Sequence, residues 1–146
     1  MTAGGRDRLR LDHVAIAVAN LEESLRFYQI QLGLPCLAIE VVEEQGVRVA
    51  KLDLGNTHIE LLEPLSPESP VGKFLGQRGP GLHHICIGVS DIGSELENLK
   101  GKGARLIDEK PRIGASACQI AFVHPKSTGG VLLELSQPPG TLPEKH

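Results

Sequence analysis

A self-match at a fixed offset constrains this chain more than any other feature of its sequence. Leu11-Asp-His-Val-Ala-Ile-Ala-Val18 aligns with Leu82-His-His-Ile-Cys-Ile-Gly-Val89, 71 residues further on. The match continues, with Leu21 falling on Ile92 and Leu25 on Leu96. A chain of 146 residues built this way is read as one domain made of two similar modules. Each copy opens with a short apolar run of strand character, then a polar N-cap residue, Asn20 or Asp91. Asn20 and Glu23 also have the spacing of a capping box. Leu21, Leu25, Tyr28 and Leu32 then lie on one face at helical spacing, with Gly33 as the stop. Ile92, Leu96 and Leu99 play this part in the second copy, where Gly101 or Gly103 ends the helix.

Three strand-like stretches follow each helix. In copy one they are Pro35–Glu43, Val47–Leu54 and Thr57–Leu62, with turns at Gln45-Gly46 and Gly55-Asn56. In copy two they are Ala104–Lys110, Ala117–His124 and Gly130–Ser136, with turns near Gly114 and at Thr128-Gly129-Gly130. Each copy therefore reads βαβββ. A short helix is expected at Val71–Leu75, in the connection that begins with Ser66-Pro-Glu-Ser-Pro70. The tail after Gln137, with Pro138, Pro139 and Pro143, is expected to be loose.

Strand periodicity sorts the side chains into faces. Val14, Ile16 and Val18 share one face of the first strand, and Leu11, His13, Ala15 and Ala17 the other. In the repeat, Ile85, Ile87 and Val89 oppose Leu82, His84, Cys86 and Gly88. The β-branched faces are expected to pack on the helices, and the small residues to leave volume beside each imidazole. In the last strand of each copy, Ile59 and Leu61, or Val131, Leu133 and Leu135, face the helices. His58, Glu60 and Leu62, or Leu132, Glu134 and Ser136, face away. A carboxylate thus interrupts an apolar strand at the same place twice.

A buried carboxylate loses hydration worth on the order of several kcal/mol unless paired or metal-bound. Two readings of His13, Glu60, His84 and Glu134 are open: structural histidines with glutamates on an exposed sheet face, or one metal site. The repetition of the His/Glu pairing favours the metal. Imidazole with carboxylate suits Mn²⁺, Fe²⁺, Co²⁺, Ni²⁺ or Zn²⁺. Four protein ligands on an octahedral ion leave two positions for substrate oxygens. His58 is a spare ligand candidate, and His83 points the other way by parity. The three cysteines, Cys36, Cys86 and Cys118, form no CxxC pair and read as core residues in a reducing compartment.

At these residues the chain resembles the vicinal oxygen chelate (glyoxalase/bleomycin resistance) superfamily, and within it most closely the methylmalonyl-CoA epimerase family. The resemblance covers about Leu11 to Gln137. It lies in Asp12–Val18, in Gly55-Asn-Thr57 with Glu60-Leu-Leu-Glu-Pro64, and in Ser69-Pro70 with Lys73-Phe-Leu75. It continues in Gly81-Leu-His-His-Ile85, Glu109–Gly114 and His124–Leu135. The resemblance implies an α+β fold, two βαβββ modules forming a cupped mixed sheet with helices on its outer face. The single domain would span residues 9–138, with modules at about 9–64 and 80–138. It implies epimerisation at C2 of methylmalonyl-CoA by proton abstraction and a metal-stabilised enolate. His13, Glu60, His84 and Glu134 would bind one divalent ion, Co²⁺ first, with Mn²⁺, Ni²⁺ or Mg²⁺ as alternatives. Glu134 would also be a catalytic base. Some relatives carry a second Glu where this chain has Val49, and Glu44 or its neighbour Glu43 is the nearest substitute. Lys73, Arg112 and Lys126 are candidates to meet the CoA phosphates. The implied partners are a small-molecule CoA thioester and a second copy in a homodimer.

Other classes fit less well. Lys+Arg number 15 against Asp+Glu 18, and aromatics are 3%, so neither nucleic-acid attraction nor base stacking is expected. No apolar run approaches the ~20 residues of a membrane span. Met1 to Arg10 lacks the apolar stretch of a secretory signal, so the expected location is cytoplasmic. A glyoxalase I-type enzyme acting on a glutathione hemithioacetal shares the His/Glu/His/Glu set, but the His124–Leu135 segment argues against it. A metal-free binding protein of the same fold would not need all four ligand-type residues. An extradiol dioxygenase would leave Glu60 without a role.

Overall fold

In the computed structural model, which describes residues 8–140, each copy of the repeat opens on a strand, β1 (Leu9–Ala17) or β5 (Gly81–Val89). Helix α1 (Leu21–Leu25) follows β1, and Asn20 caps it by accepting the Glu23 N–H at 2.9 Å. Strands β2 (Cys36–Val42), β3 (Val47–Asp53) and β4 (His58–Pro64) complete the first module. Helix α2 (Pro70–Arg78) lies in the connection, longer than expected because Ser69 caps it and Pro70 suits its first turn. Helix α3 (Ile92–Gly101) follows β5, with Asp91 as its cap. Then come β6 (Arg112–Ile113), β7 (Gln119–Val123), the short helix α4 (Pro125–Thr128) and β8 (Leu133–Gln137).

The fold is α+β, and the chain forms two compact units, one of residues 13–83 and one of residues 84–140 with 8–12. The division falls inside β1 and β5. Strand order is β2-β3-β4-β1 in one set and β5-β8-β7-β6 in the other. In each set the first strand of the module pairs parallel with the last, β1 with β4 and β5 with β8, and the remaining pairs are antiparallel. Each unit has its own core. Leu21 and Leu25 of α1 pack with Ala50, Leu52 and Leu61, and Ile92 and Leu96 of α3 pack with Val89, Ala121 and Leu135.

Four expectations are corrected. The first helix does not stay α-helical: Arg26–Gln31 is a π-helical turn, and Leu32 N–H reaches back five residues to the Phe27 carbonyl. The wider turn rotates Leu32 off the buried face, and it is 55% exposed. Second, Ala104–Lys110 makes no regular strand but a single bridge, Leu106 to Val123. The Asp108 carboxylate takes the Phe122 N–H at 2.9 Å, where a ladder carbonyl would otherwise accept it, and Pro111 has no N–H to donate. Third, β8 starts at Leu133. Gly129 (φ 81°) and Gly130 (φ 107°) are still turning after α4, which leaves Val131 outside the core at 45% exposed. Ala115–Ala117 is likewise a 3-10 turn, so β7 begins at Gln119. Pro143 and the rest of the expected loose tail from residue 141 lie outside the described residues.

The last strand of each module also ties down the start of its helix. Glu63, next to the end of β4, accepts the Leu21 N–H at 2.8 Å, and Gln137, at the end of β8, accepts the Ile92 N–H at 2.9 Å. These satisfy otherwise orphaned helix N-terminal donors. Gln137→Leu should therefore cost about 1–3 kcal/mol by leaving that buried N–H without its acceptor. Urea denaturation checks this, as a lower midpoint with unchanged slope; an unshifted midpoint would contradict it. The α4 cap is pH-sensitive in a defined direction. His124 Nδ1 accepts the Lys126 N–H at 3.0 Å, which needs an unprotonated nitrogen. Desolvation, then the charges of Arg105 and Lys126, lower the His124 pKa below its ordinary value. The cap's contribution is thus present above the ordinary histidine pKa and is lost as pH falls through the lowered one. An NMR titration of the His124 ring should give a midpoint under 6.5, and a midpoint at or above that value would refute it.

Candidate metal centre

In the unit of residues 13–83, strand register places the ligand-type side chains in adjoining rows. His13 of β1 lies opposite His58 of β4, and Ala15 opposite Glu60. Antiparallel β3 sets Lys51 opposite Glu60 and Val49 opposite Leu62. Directly opposed residues share a face, so Ala15, Glu60 and Lys51 form one row and His13, His58 and Asp53 the next. The opposite face carries Ala50, Leu52 and Leu61 into the core. His13 Nδ1 is 3.3 Å from Glu60 Oε2, and both residues are only 5% exposed.

The unit that contains residues 84–140 repeats this arrangement. Cys86 of β5 lies opposite Glu134 of β8, which lies opposite Phe122 of β7. Row for row, Cys86–Glu134–Phe122 corresponds to Ala15–Glu60–Lys51. His84 Nε2 is 2.9 Å from Glu134 Oε1, and both residues are buried. Phe122 meets the His84 ring edge-on, centroids 5.4 Å apart and planes at 86°. Arg112 lies over the other end of this wall, 5.7 Å from the Phe122 centroid, and pairs with Asp108 at 3.2 Å. Sequence periodicity did not single out Phe122. Its position opposite Glu134 only became visible through the β7–β8 register.

Burial of both glutamates removes the reading in which they sit on an exposed sheet face. The small residues beside the imidazoles do not lie open to solvent either: Ala15, Ala17 and Cys86 are completely buried. Donor chemistry and spacing fit a divalent ion. Two ligands bound cis at about 2.1 Å to an octahedral ion lie about 3.0 Å apart, and about 3.4 Å apart on a tetrahedral one. The two His–Glu separations, 2.9 and 3.3 Å, are close to those values, and the shorter is also a hydrogen-bond distance.

The other candidates lie elsewhere. His58 is partly buried, two residues along β4 from Glu60 on the same face. His83 packs edge-on against Phe74, at 4.9 Å, as its opposite parity implied. Glu43 and Glu44 are exposed in the 3-10 turn Glu43–Gln45 that joins β2 to β3. Val49 is 4% exposed and on the Glu60 face. Lys73 and Lys126 are exposed, on α2 and α4.

Metal-free protein titrated with Co²⁺ should melt at a higher temperature, since a ligand of the folded state alone stabilises it. His13→Ala and His84→Ala should lose most of that shift, and Phe122→Leu should keep it. An undiminished shift in both histidine variants would exclude these residues as ligands.

The model of the Glyoxalase/Bleomycin resistance protein/Dioxygenase superfamily matches residues 12–122. The human mitochondrial methylmalonyl-CoA epimerase is 45% identical over 129 residues, 88% of this chain and 73% of that protein. The ethylmalonyl-CoA/methylmalonyl-CoA epimerase of Cereibacter sphaeroides is 44% identical over 131 residues, 88% of this chain and 97% of that protein. A solved methylmalonyl-CoA epimerase in complex with methylmalonyl-CoA and NH4+ is 37% identical, with a TM-score of 0.87 over 94% of this chain and 99% of that one.

Proposed function

The chain belongs to the glyoxalase/bleomycin resistance protein/dioxygenase superfamily and, within it, to the family of the methylmalonyl-CoA epimerases, and on that premise we propose that it is an isomerase that interconverts the C2 epimers of methylmalonyl-CoA. The observation that carries the reading is the twice-repeated, buried His–Glu pair on corresponding strands of the two modules.

In this reading His13, Glu60, His84 and Glu134 together hold one divalent ion, Co²⁺ first. When bound, such an ion supplies Lewis-acid stabilisation of negative charge developing on substrate oxygens. The C2 proton of the substrate lies between a carboxylate and a thioester, both of which acidify it. Glu134 takes this proton from one face. His84, 2.9 Å from the Glu134 carboxylate and wedged by Phe122, restricts where that carboxylate can point. Burial keeps bulk water from quenching the carbanionic carbon at random. Epimerisation further needs a proton returned to the opposite face by a second group. Glu44 is one candidate. It lies beyond Val47, four residues along β3 from Lys51 and so roughly 14 Å from the Glu60 row. That distance weakens its case. We further propose that the protein acts as a homodimer in the cytoplasm. Among the described residues no helix is long and apolar enough to cross a membrane.

Glyoxalase-type isomerisation of a glutathione hemithioacetal could use the same donors. The identity of 44–45% to the two epimerases, over 88% of the chain, favours a malonyl thioester instead.

The direct test is incubation with methylmalonyl-CoA in D₂O, following C2 deuteration by NMR beside a stereospecific coupled assay. Neither exchange nor conversion by metal-loaded enzyme would end the proposal. Glu60→Gln should be tolerated far better than Glu134→Gln. An amide oxygen still coordinates at position 60, whereas position 134 must also move a proton, so the loss there should be of order 10²–10⁴ in rate. Equal losses at matched metal occupancy would refute this division of roles.

A further inference from the structure

We propose that Arg10 receives the free carboxylate of the malonyl thioester and so selects substrates that carry one on the reacting carbon. The inference rests on the epimerase reading above and names the group that recognises the acid end of the substrate.

Three observations carry it, all within the unit of residues 84–140 with 8–12. First, Gly88 stands two residues beyond Cys86 on β5 and opposite Ser136 of β8, so Gly88 and Ser136 form the row next to Cys86–Glu134 on the same face. Glycine has no side chain to fill its place in that row, and the Arg10 guanidinium fills it instead. A Cβ on Gly88 would lie 2.7 Å from Arg10 Cζ and 3.0 Å from both Nε and Nη2. The guanidinium therefore lies against the strand on the face that holds Glu134. Second, the protein leaves its donors open. Asp12 is 3.8 Å from Nη2, beyond hydrogen-bond length, and the side chain is half exposed. Among the described residues no hydrogen bond engages the guanidinium. An arginine that serves as a structural tie is held by close carboxylates, as Arg48 is by Glu22 and Glu63. Third, Ser136 is only 4% exposed, and among the described residues no hydrogen bond engages its hydroxyl. A buried hydroxyl in the same row as a guanidinium with open donors makes a cradle for an anion.

Spacing identifies the anion. Adjoining same-face rows lie about 7 Å apart along a strand. A carboxylate bonded to a guanidinium at ~2.8 Å carries its α-carbon into that interval, towards the residue that takes the proton. In a malonyl thioester that α-carbon is C2 itself. A CoA phosphate is separated from C2 by the whole pantetheine arm, so an anion site one row from Glu134 suits the group bonded to C2. The guanidinium fork offers a carboxylate two parallel N–H donors. Pairing that charge also lowers the cost of the second negative charge that develops beside it when C2 loses its proton. A glutathione hemithioacetal has no carboxylate on its reacting carbon and gains nothing from Arg10.

Isothermal titration of metal-loaded protein with methylmalonyl-CoA and with propionyl-CoA, the same thioester without the carboxylate, tests the assignment. Arg10→Gln should weaken methylmalonyl-CoA binding by about 10- to 100-fold, the worth of a hydrogen bond to a charged group, and leave propionyl-CoA binding unchanged. Arg10→Lys should fall between, since an ammonium keeps the charge but not the paired donors. Gly88→Ala puts a methyl group where the guanidinium lies and should show the same selective loss. The Co²⁺ melting shift should persist in all three, because neither residue is proposed as a metal ligand. Undiminished methylmalonyl-CoA affinity in Arg10→Gln would overturn the assignment. Equal loss for the two thioesters would overturn it too, and would put Arg10 against the CoA portion that they share. So would loss of the Co²⁺ shift in both arginine variants, which would make the guanidinium a support of the fold. Wild-type protein that binds neither thioester would refute the epimerase reading itself. Wild-type protein that epimerises but binds both thioesters equally would refute only the role given to Arg10.

Discussion

Within each module, the parallel pairing of the first strand with the last is the constraint on which the site depends. A parallel pair cannot be closed by a tight turn; it needs a crossover. Here the crossover is a helix and two further strands. Once β1 lies beside β4 with Ala15 opposite Glu60, the face of β1 that carries His13 and the face of β4 that carries Glu60 are the same face. A slip of one residue would turn every side chain of one strand to the other side. It would put Glu60 into the helix-facing core and Leu61 into the ligand row. The apolar packing of Leu52 and Leu61 against α1 therefore holds the ligand geometry as well as the fold.

The four ligand-type residues are a cost that the rest of the structure offsets. Ionisable groups this deeply buried are destabilising unless paired, and each module pairs its own, at 2.9 and 3.3 Å. A divalent ion would compensate the remaining negative charge, which is why the donor set is readable as a binding site and not as an ordinary core feature. The two copies are not chemically equal. Phe122 builds an apolar wall against His84 where the first module offers Lys51. The two modules share a scaffold, and equivalent rows of it carry chemically different side chains.

Each helix is likewise anchored by the strand that bears its glutamate. Glu63 and Gln137 stand three residues beyond Glu60 and Glu134 and accept the first helical N–H in their modules. Glu63 also receives Arg48 at 3.1 Å, and Arg48 reaches Glu22 at 2.6 Å, so the start of α1, β3 and β4 are held together on the helix side of the sheet. The strand that positions a ligand therefore also positions the helix that packs behind it.

The sequence by itself determined the duplicated βαβββ plan, the strand faces and the identity of His13, Glu60, His84 and Glu134, because periodicity and repetition are local properties. It also determined the Asn20 and Asp91 caps, since capping depends on a few neighbouring atoms, whereas the Ser69 cap that lengthens α2 was not read from it. Only the tertiary structure decided what depends on distant partners. The replacement of a strand by Asp108 side-chain bonding reflects a hydrogen bond to Phe122, 14 residues away, that no short window of sequence contains, and the π-helical turn at Arg26–Gln31 is an i to i−5 irregularity that the helical spacing of its apolar residues did not signal. The cross-strand positions of Phe122 and Lys51 are of the same kind. An apolar residue and a lysine on a strand carry no mark of what lies opposite them, and cross-strand register, set by the packing of the whole sheet, places both beside a buried carboxylate.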